Sequence, residues 1–429
     1  MRFPPGALAL LVILSPAQGG ATPITVEDAL VRAAQRSPAL RAAEARLAEA
    51  RGRGLVAGAL VPLDPEVEVR FATDWLSSND GETSLEVSLG QELELFGQRG
   101  LRRDMVGAEV MALAREVAAA RLRLRAEVAR AFYQLMYEER RAATLHDVVE
   151  HAERLADAAQ RRLASGDLPE VEAALIAVDL AQVQGEADDA VASLASARAR
   201  LATLVGASTA GQVTTAGEFP APPAPAQLSS LLARARAHRP ELAGAAQEIR
   251  AGGIEIALRR RERWPNPVLT LGYARERTFF SSENFSPGTL RDDRDVAQFV
   301  SLGVRLALPL LRSGRGEIAQ ARARMAMAEA RRDAVAAEIE ETVTASHARY
   351  VAARAQVERY AALAPRLATL SALADQGHAA GEVDLAVYLA TRDRVLRTTA
   401  AALQAQRDAA TSAAELEAAV GDSIMGASR

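Results

Sequence analysis

The chain contains no cysteine and no lysine, and its 429 residues include only five histidines and two tryptophans. Without cysteine there is no disulfide framework, no thiolate chemistry and no attachment point for a lipid anchor behind a signal peptide. All 51 basic residues are therefore arginine, a compositional bias of the source that carries no functional reading. The histidines are too scattered to form a metal site, and the spacing of His146 and His151 does not place both on one helical face. No Ser-His-Asp arrangement, phosphate loop or metal motif stands in a credible context. The pairs Glu340-Glu341 and Asp188-Asp189 read as solvated helix faces, so the expectation is a protein that is no enzyme and needs no cofactor. A net charge of −4 gives no electrostatic case for nucleic acid. No uncharged run approaches the roughly 20 residues of a spanning helix. If this chain enters a membrane, it does so as strands.

Much of the 49 % hydrophobic content is alanine, which favours helix but buries little surface, so long, closely packed helices are expected. The N-terminus reads as a targeting segment over residues 1–21: Arg2, the apolar run Ala7 to Leu14, then small residues Ala17 and Gly19 before a cleavage point. The most informative stretch is Leu85 to Leu95, LEVSLGQELEL. Leu85, Val87, Leu89, Leu93 and Leu95 alternate with Glu86, Ser88, Gly90, Glu92 and Glu94, which is the period of a strand with one apolar and one polar face.

Three more segments alternate in the same way, and they fall in a repeated order. Repeat 1 covers 22–208: a helix interrupted at Pro38, strands at about 65–77 and 83–95, and a helical hairpin over 100–206 turning at Ser165-Gly166-Asp167-Leu168-Pro169. Residues 209–226, rich in Pro, Gly and Thr, read as a linker. Repeat 2 covers 227–421, with strands at about 267–279 and 296–309 and a hairpin over 316–421 broken between Gly377 and Gly381; residues 422–429 form a tail. Pro38 and Pro240 are separated by the same interval as Pro65 and Pro267, and Gly166 and Gly381 by the same interval as Gly206 and Gly421. Chance seldom preserves an offset across paired motifs.

The fold class expected is mainly α with a small β part: long antiparallel helical hairpins, and four strands per chain. Four strands cannot close a membrane barrel, since the smallest have about eight, whereas three chains would supply about twelve. In that assembly the apolar faces meet lipid and the other faces line a lumen: Glu66, Glu68, Arg70, Glu86, Glu92, Glu94 and Arg305, an acidic excess compatible with cation passage. Trp75 and Trp264, beside the strands, suit an interfacial aromatic belt. The alternative is a soluble periplasmic coiled-coil scaffold whose four strands form a small buried sheet.

In its tandem repeat, its Ser37-Pro38-Ala39-Leu40 and Arg239-Pro240-Glu241-Leu242 segments, its paired strands, its hairpin turns and its Leu204-Val205-Gly206 terminus, the chain resembles the TolC-type outer-membrane efflux proteins. Glu92 to Arg99, ELELFGQR, with Leu101-Arg102-Arg103, is most similar to the branch serving heavy-metal pumps of the resistance-nodulation-division type. The resemblance implies a homotrimer in the bacterial outer membrane, with a β-barrel in the lipid and an α-helical barrel in the periplasm. It implies as partners a periplasmic adaptor protein and an inner-membrane transporter, and as function a passive exit duct for efflux, with drug efflux or type I secretion as the other uses of the scaffold. Adaptor-facing hairpin tips would be Ser165, Gly166, Asp167, Leu168, Gly381, Glu382 and Val383. Where many relatives carry lumen-lining carboxylates beyond the second tip, this chain has Val387 and Ala390, so Glu382, Asp384 and Asp393 are the candidate gate residues.

Overall fold

The computed structural model describes residues 22–59, 63–76, 81–207, 213–283, 290–308 and 314–422. The targeting segment 1–21 lies outside the described residues, as do the start of the linker at 209–212, the strand-connecting residues 77–80 and 284–289, and the tail beyond Asp422. The elements follow in the order β1 (Thr22–Ile24), α1 (Val26–Arg36), α2 (Pro38–Ala57), β2 (Glu66–Thr73), β3 (Thr83–Glu92), α3 (Gln98–Ala164), α4 (Glu170–Val205), β4 (Val213–Thr215), α5 (Leu228–His238), α6 (Pro240–Arg261), β5 (Val268–Glu283), β6 (Leu290–Arg305), α7 (Arg315–Ala379) and α8 (Leu385–Val420). Among the described residues no helix is long and apolar enough to cross a membrane.

The chain divides into two compact units, and α2, α3 and α7 contribute residues to both. One unit comprises residues 42–120 and 239–339 and contains the four-stranded sheet, in the order β2-β3-β5-β6 with every neighbour antiparallel. Its helices approach closely through small residues. A side chain added at Gly252 of α6 would press on Met325 of α7 at 3.2 Å, and one at Gly244 would meet Arg115 of α3 at 3.4 Å.

The other unit holds residues 121–238 and 340–422 together with the N-terminal segment to Arg41. Its core gathers Ile24, Ala29, Ala33, Val128, Phe132, Leu135, Leu201, Val205 and Val213. Here β1 pairs in parallel with β4, Thr22 opposite Val213 and Ile24 opposite Thr215, a contact not expected from the sequence. The segment read as a linker is thus partly structured. Its proline-rich part is tied down where the buried Tyr350 hydroxyl donates to the Pro223 carbonyl at 2.6 Å and a ring nitrogen of His347 lies 3.1 Å from the Ala226 carbonyl oxygen.

Several boundaries differ from expectation, among them the end of β2 at Thr73 and the end of β6 at Arg305. The strand read to Leu95 ends at Glu92: the last bond runs from the Leu93 amide to the Pro267 carbonyl at 2.9 Å, and Pro267 has no N–H with which to continue the ladder. The first hairpin helix begins at Gln98, not at 100, and so absorbs Gly100. Gly377 lies inside α7, and the second turn is confined to residues 380–384. Finally, β5 runs on to Glu283 and β6 starts already at Leu290, each 16 residues long, because a two-stranded ribbon needs only its backbone ladder and tolerates polar side chains on both faces.

Candidate functional site

The register of the sheet decides which residues share a face, because directly opposed residues in antiparallel strands point the same way. Val69 opposes Val87, which opposes Tyr273, which opposes Val300; Val67, Leu89, Leu271 and Leu302 form the next row. The anticipated apolar positions that fall within the strands therefore lie on one face, while Leu93, Leu95, Leu306 and Leu308 lie beyond the strand ends. That face is open: Val300 is 78 % exposed, Leu302 74 % and Val67 66 %.

The other face collects Glu66, Glu68 and Arg70 from β2, Glu86 and Glu92 from β3, and Arg305 from β6. Glu92 and Arg305 both oppose Val268, so they belong to one row. The Arg70 guanidinium donates to Glu86 Oε2 at 3.0 Å and to Glu68 Oε1 at 2.8 Å, an exposed cluster that screening by water keeps weak. Glu94, expected in the lumen, lies two positions beyond the end of β3. Its side chain, 5 % exposed, forms a two-pronged ion pair with Arg102 of α3, the second contact at 2.7 Å. It ties the strand to the helix that follows.

Glu276 and Asp295 also belong to the polar face. They escape a sequence reading because their segment alternates poorly. At the helix-side end of the sheet the Asn266 amide donates to Glu92 Oε1 at 2.8 Å, and the amide of Gln98, itself 1 % exposed, donates to Asn266 Oδ1 at 2.9 Å. Phe96 and Trp264 meet there with ring centroids 6.1 Å apart.

The hairpin turns form the second candidate surface. In the first, Gly166 has φ +81°, and the Ser165 hydroxyl donates to Asp167 Oδ2 at 2.7 Å. In the second, Gly381 has φ +75°, and the Glu382 and Val383 amides donate to the Gly377 carbonyl at 2.8 and 3.1 Å. Leu168 and Val383 are half-buried against a cluster of Ala159, Ile176, Ala374, Leu385 and Tyr388, to which α3, α4, α7 and α8 all contribute. The exposed tip residues are Ser165, Gly166, Asp167, Gly381 and Glu382.

The candidate gate carboxylates are not gathered into one group. Asp384 caps α8, its Oδ1 accepting from the Ala386 amide at 2.8 Å; Asp393 pairs with Arg397 at 2.7 Å; Glu382 stays exposed on the turn. What the sequence did not reveal is a polar knot beside them. A ring nitrogen of His151 lies 3.2 Å from the Tyr388 hydroxyl, that hydroxyl donates to Asp375 Oδ1 at 3.2 Å, and His378 stacks on the Tyr388 ring at 4.4 Å. Burial, helped by Arg392 and Arg154 and opposed by Asp375, holds the His151 pKa below the usual histidine value. Burial likewise raises that of Asp179, which lines a cavity of about 220 Å³ with Arg392 and Asp393.

Comparison with known proteins adds to these surfaces. The family model described as "Outer membrane efflux protein" matches residues 29–207 and 231–422. The cobalt-zinc-cadmium resistance protein CzcC of Cupriavidus metallidurans is 26 % identical over 259 residues, which is 60 % of this chain and 60 % of that relative's length. Among solved structures, a membrane protein from Pseudomonas aeruginosa superposes with a TM-score of 0.76 at 20 % identity, over 92 % of each chain. CusC, studied for its conformational changes on transmembrane channel formation, superposes with a TM-score of 0.74 at 16 % identity, again over 92 % of each chain. At such identities the likeness concerns the fold.

Proposed function

Because the chain belongs to the outer membrane efflux protein family, a family of transport proteins and not of enzymes, we propose that it is the passive exit duct of a tripartite pump, working as a homotrimer. The observation that carries this reading is the sheet: one exposed face whose central rows, those of Leu271 and Tyr273, are apolar on all four strands, a polar face behind it, and two unpaired edges, β2 and β6, that run in opposite directions. Edge β6 of one chain can add to β2 of the next as another antiparallel neighbour, and three chains close a barrel of about twelve strands with no edge left over. A soluble scaffold would need a cover for the apolar face, and that face is exposed.

In this reading the duct performs no chemistry. An inner-membrane transporter of the resistance-nodulation-division type supplies the energy, a periplasmic adaptor engages the exposed tip residues Ser165, Gly166, Asp167, Gly381 and Glu382, and opening requires the hairpin ends to separate. The cargo we propose is a heavy-metal cation. The likeness to a cobalt-zinc-cadmium resistance protein supports it, as does the acidic excess of Glu66, Glu68, Glu86, Glu92 and Glu276 over Arg70 and Arg305 on the polar face.

Deleting the gene and measuring cell-associated cobalt, zinc and cadmium beside a panel of hydrophobic drugs tests the cargo. Accumulation of the metals alone is expected. Accumulation of drugs alone would reassign the duct to drug efflux.

A further inference from the structure

The outward face of the sheet stops being apolar at one end. Along β5 it reads Leu269, Leu271, Tyr273, then Arg275 and Arg277. Arg275 opposes Leu85 and Gln298, and Arg277 opposes Thr83 and Val296, so both stand level with the end of the β2–β3 hairpin, away from the helices. Over the same rows the inward face carries Glu276 and Asp295. Over these rows charge of opposite sign is sorted between the two faces. Arg275 and Arg277 are exposed and have no ion-pair partner among the described residues.

A guanidinium on a lipid-facing strand is costly at mid-bilayer and tolerated near the interface. The apolar band is bounded at its helix-side end by the Phe96–Trp264 pair and at its far end by these arginines. Two guanidiniums two residues apart on one strand lie about 7 Å from each other, close enough to grip neighbouring phosphate oxygens with several charge-assisted hydrogen bonds. On the outer side of a bacterial outer membrane the anionic layer at that height is phosphorylated glycolipid.

We propose that Arg275 and Arg277 form a binding site for the phosphates of an outer-leaflet glycolipid of the lipid A type. The site rests on the reading of the sheet as a barrel wall. It anchors the far end of the wall in the headgroup layer, while the aromatic pair holds the near end.

The test is native mass spectrometry of the full-length protein purified in mild detergent, titrated with lipid A, with phosphate-free lipid A and with phosphatidylglycerol. Wild-type protein is expected to hold lipid A in preference to both other lipids. Arg275→Gln with Arg277→Gln should lower the affinity for lipid A roughly thirtyfold, the scale of two arginines against an anionic surface, at unchanged trimer mass. The Arg275→Lys, Arg277→Lys pair should keep most of the binding.

Equal occupancy by the phosphate-free form would mean adhesion through acyl chains, and equal occupancy by phosphatidylglycerol would mean attraction to any anionic lipid; either result overturns the proposal. An intact trimer whose lipid A occupancy does not change in the Gln variant overturns it alone. A soluble monomer in the same spectra overturns both this site and the barrel.

Discussion

The two halves of this chain repeat one plan, but their ends are finished differently. Helices of 67 and 36 residues in the first half correspond to helices of 65 and 36 in the second, and both hairpins turn on a glycine with positive φ. The strand pairs, however, are 8 and 10 residues in the first half and 16 and 16 in the second. At the turns, α4 starts behind Pro169 with no side-chain cap, whereas α8 starts behind Asp384, which caps it. The shared parts are those that packing and pairing require. The differences lie at the exposed extremities, where each half is free to meet a different neighbour.

The comparison can be broken most strongly at the sheet. Leu302→Arg in the second half and Val69→Arg in the first both put a charge on the outward face, and each should cost about 2–4 kcal/mol of membrane stability if its row lies near mid-bilayer. Ser301→Arg, on the inward face, should cost far less. Urea titration of the protein refolded into bilayers measures all three, and equal losses for Leu302→Arg and Ser301→Arg would contradict the assignment of faces.

Smaller effects belong to the turns. Gly166→Ala and Gly381→Ala should each destabilise by about 1–2 kcal/mol, since a Cβ is disfavoured at φ near +80°, and thermal unfolding of the variants should show losses of similar size in both halves. The caps should then separate the halves: Asp384→Ala is expected to cost about 1 kcal/mol, and Pro169→Ala to cost little, because it removes no side-chain cap. Amide exchange at the first turns of α8 and α4 reads the difference.

The smallest effect is one of pH, and it is specific to the knot around Tyr388. The folded His151 pKa is depressed, so its contribution to stability is present above the ordinary histidine value of 6.5 and is lost as pH falls below that value toward the folded one. Groups facing it are Tyr388 and Arg392 from α8, Asp375 from α7 and Arg154 from its own helix, with Asp179 of α4 close to Arg392. Protection from exchange near the hairpin ends, taken relative to the intrinsic rate at each pH, should fall on acidification from neutral pH, and His151→Gln should flatten that response.

The faces of the sheet were legible from residue types alone because a period of two leaves no freedom: once Val69 and Val87 share a face, so do Leu271 and Leu302. The hairpin turns at Gly166 and Gly381 were legible because a glycine closes a long helical pattern, followed at the first turn by Pro169 ahead of the next helix. The β1–β4 pair was not, since three-residue strands are too short to show a period. The outer reaches of β5 and β6 were hidden by their charged residues, which look like a loop until the backbone ladder is traced. Glu94 kept the alternation but missed the strand, because the end of β3 depends on Pro267 far along the chain. The His151–Tyr388–Asp375 knot joins three helices, and no local pattern marks such a meeting.

Each of these features bears on one assembly, so the most direct measurement is the mass of the particle extracted from outer membranes. The account predicts a species that needs detergent and weighs three chains, as the open edges of β2 and β6 demand. A monomer recovered in the soluble periplasmic fraction would contradict it, and the apolar face of the sheet would then need another partner.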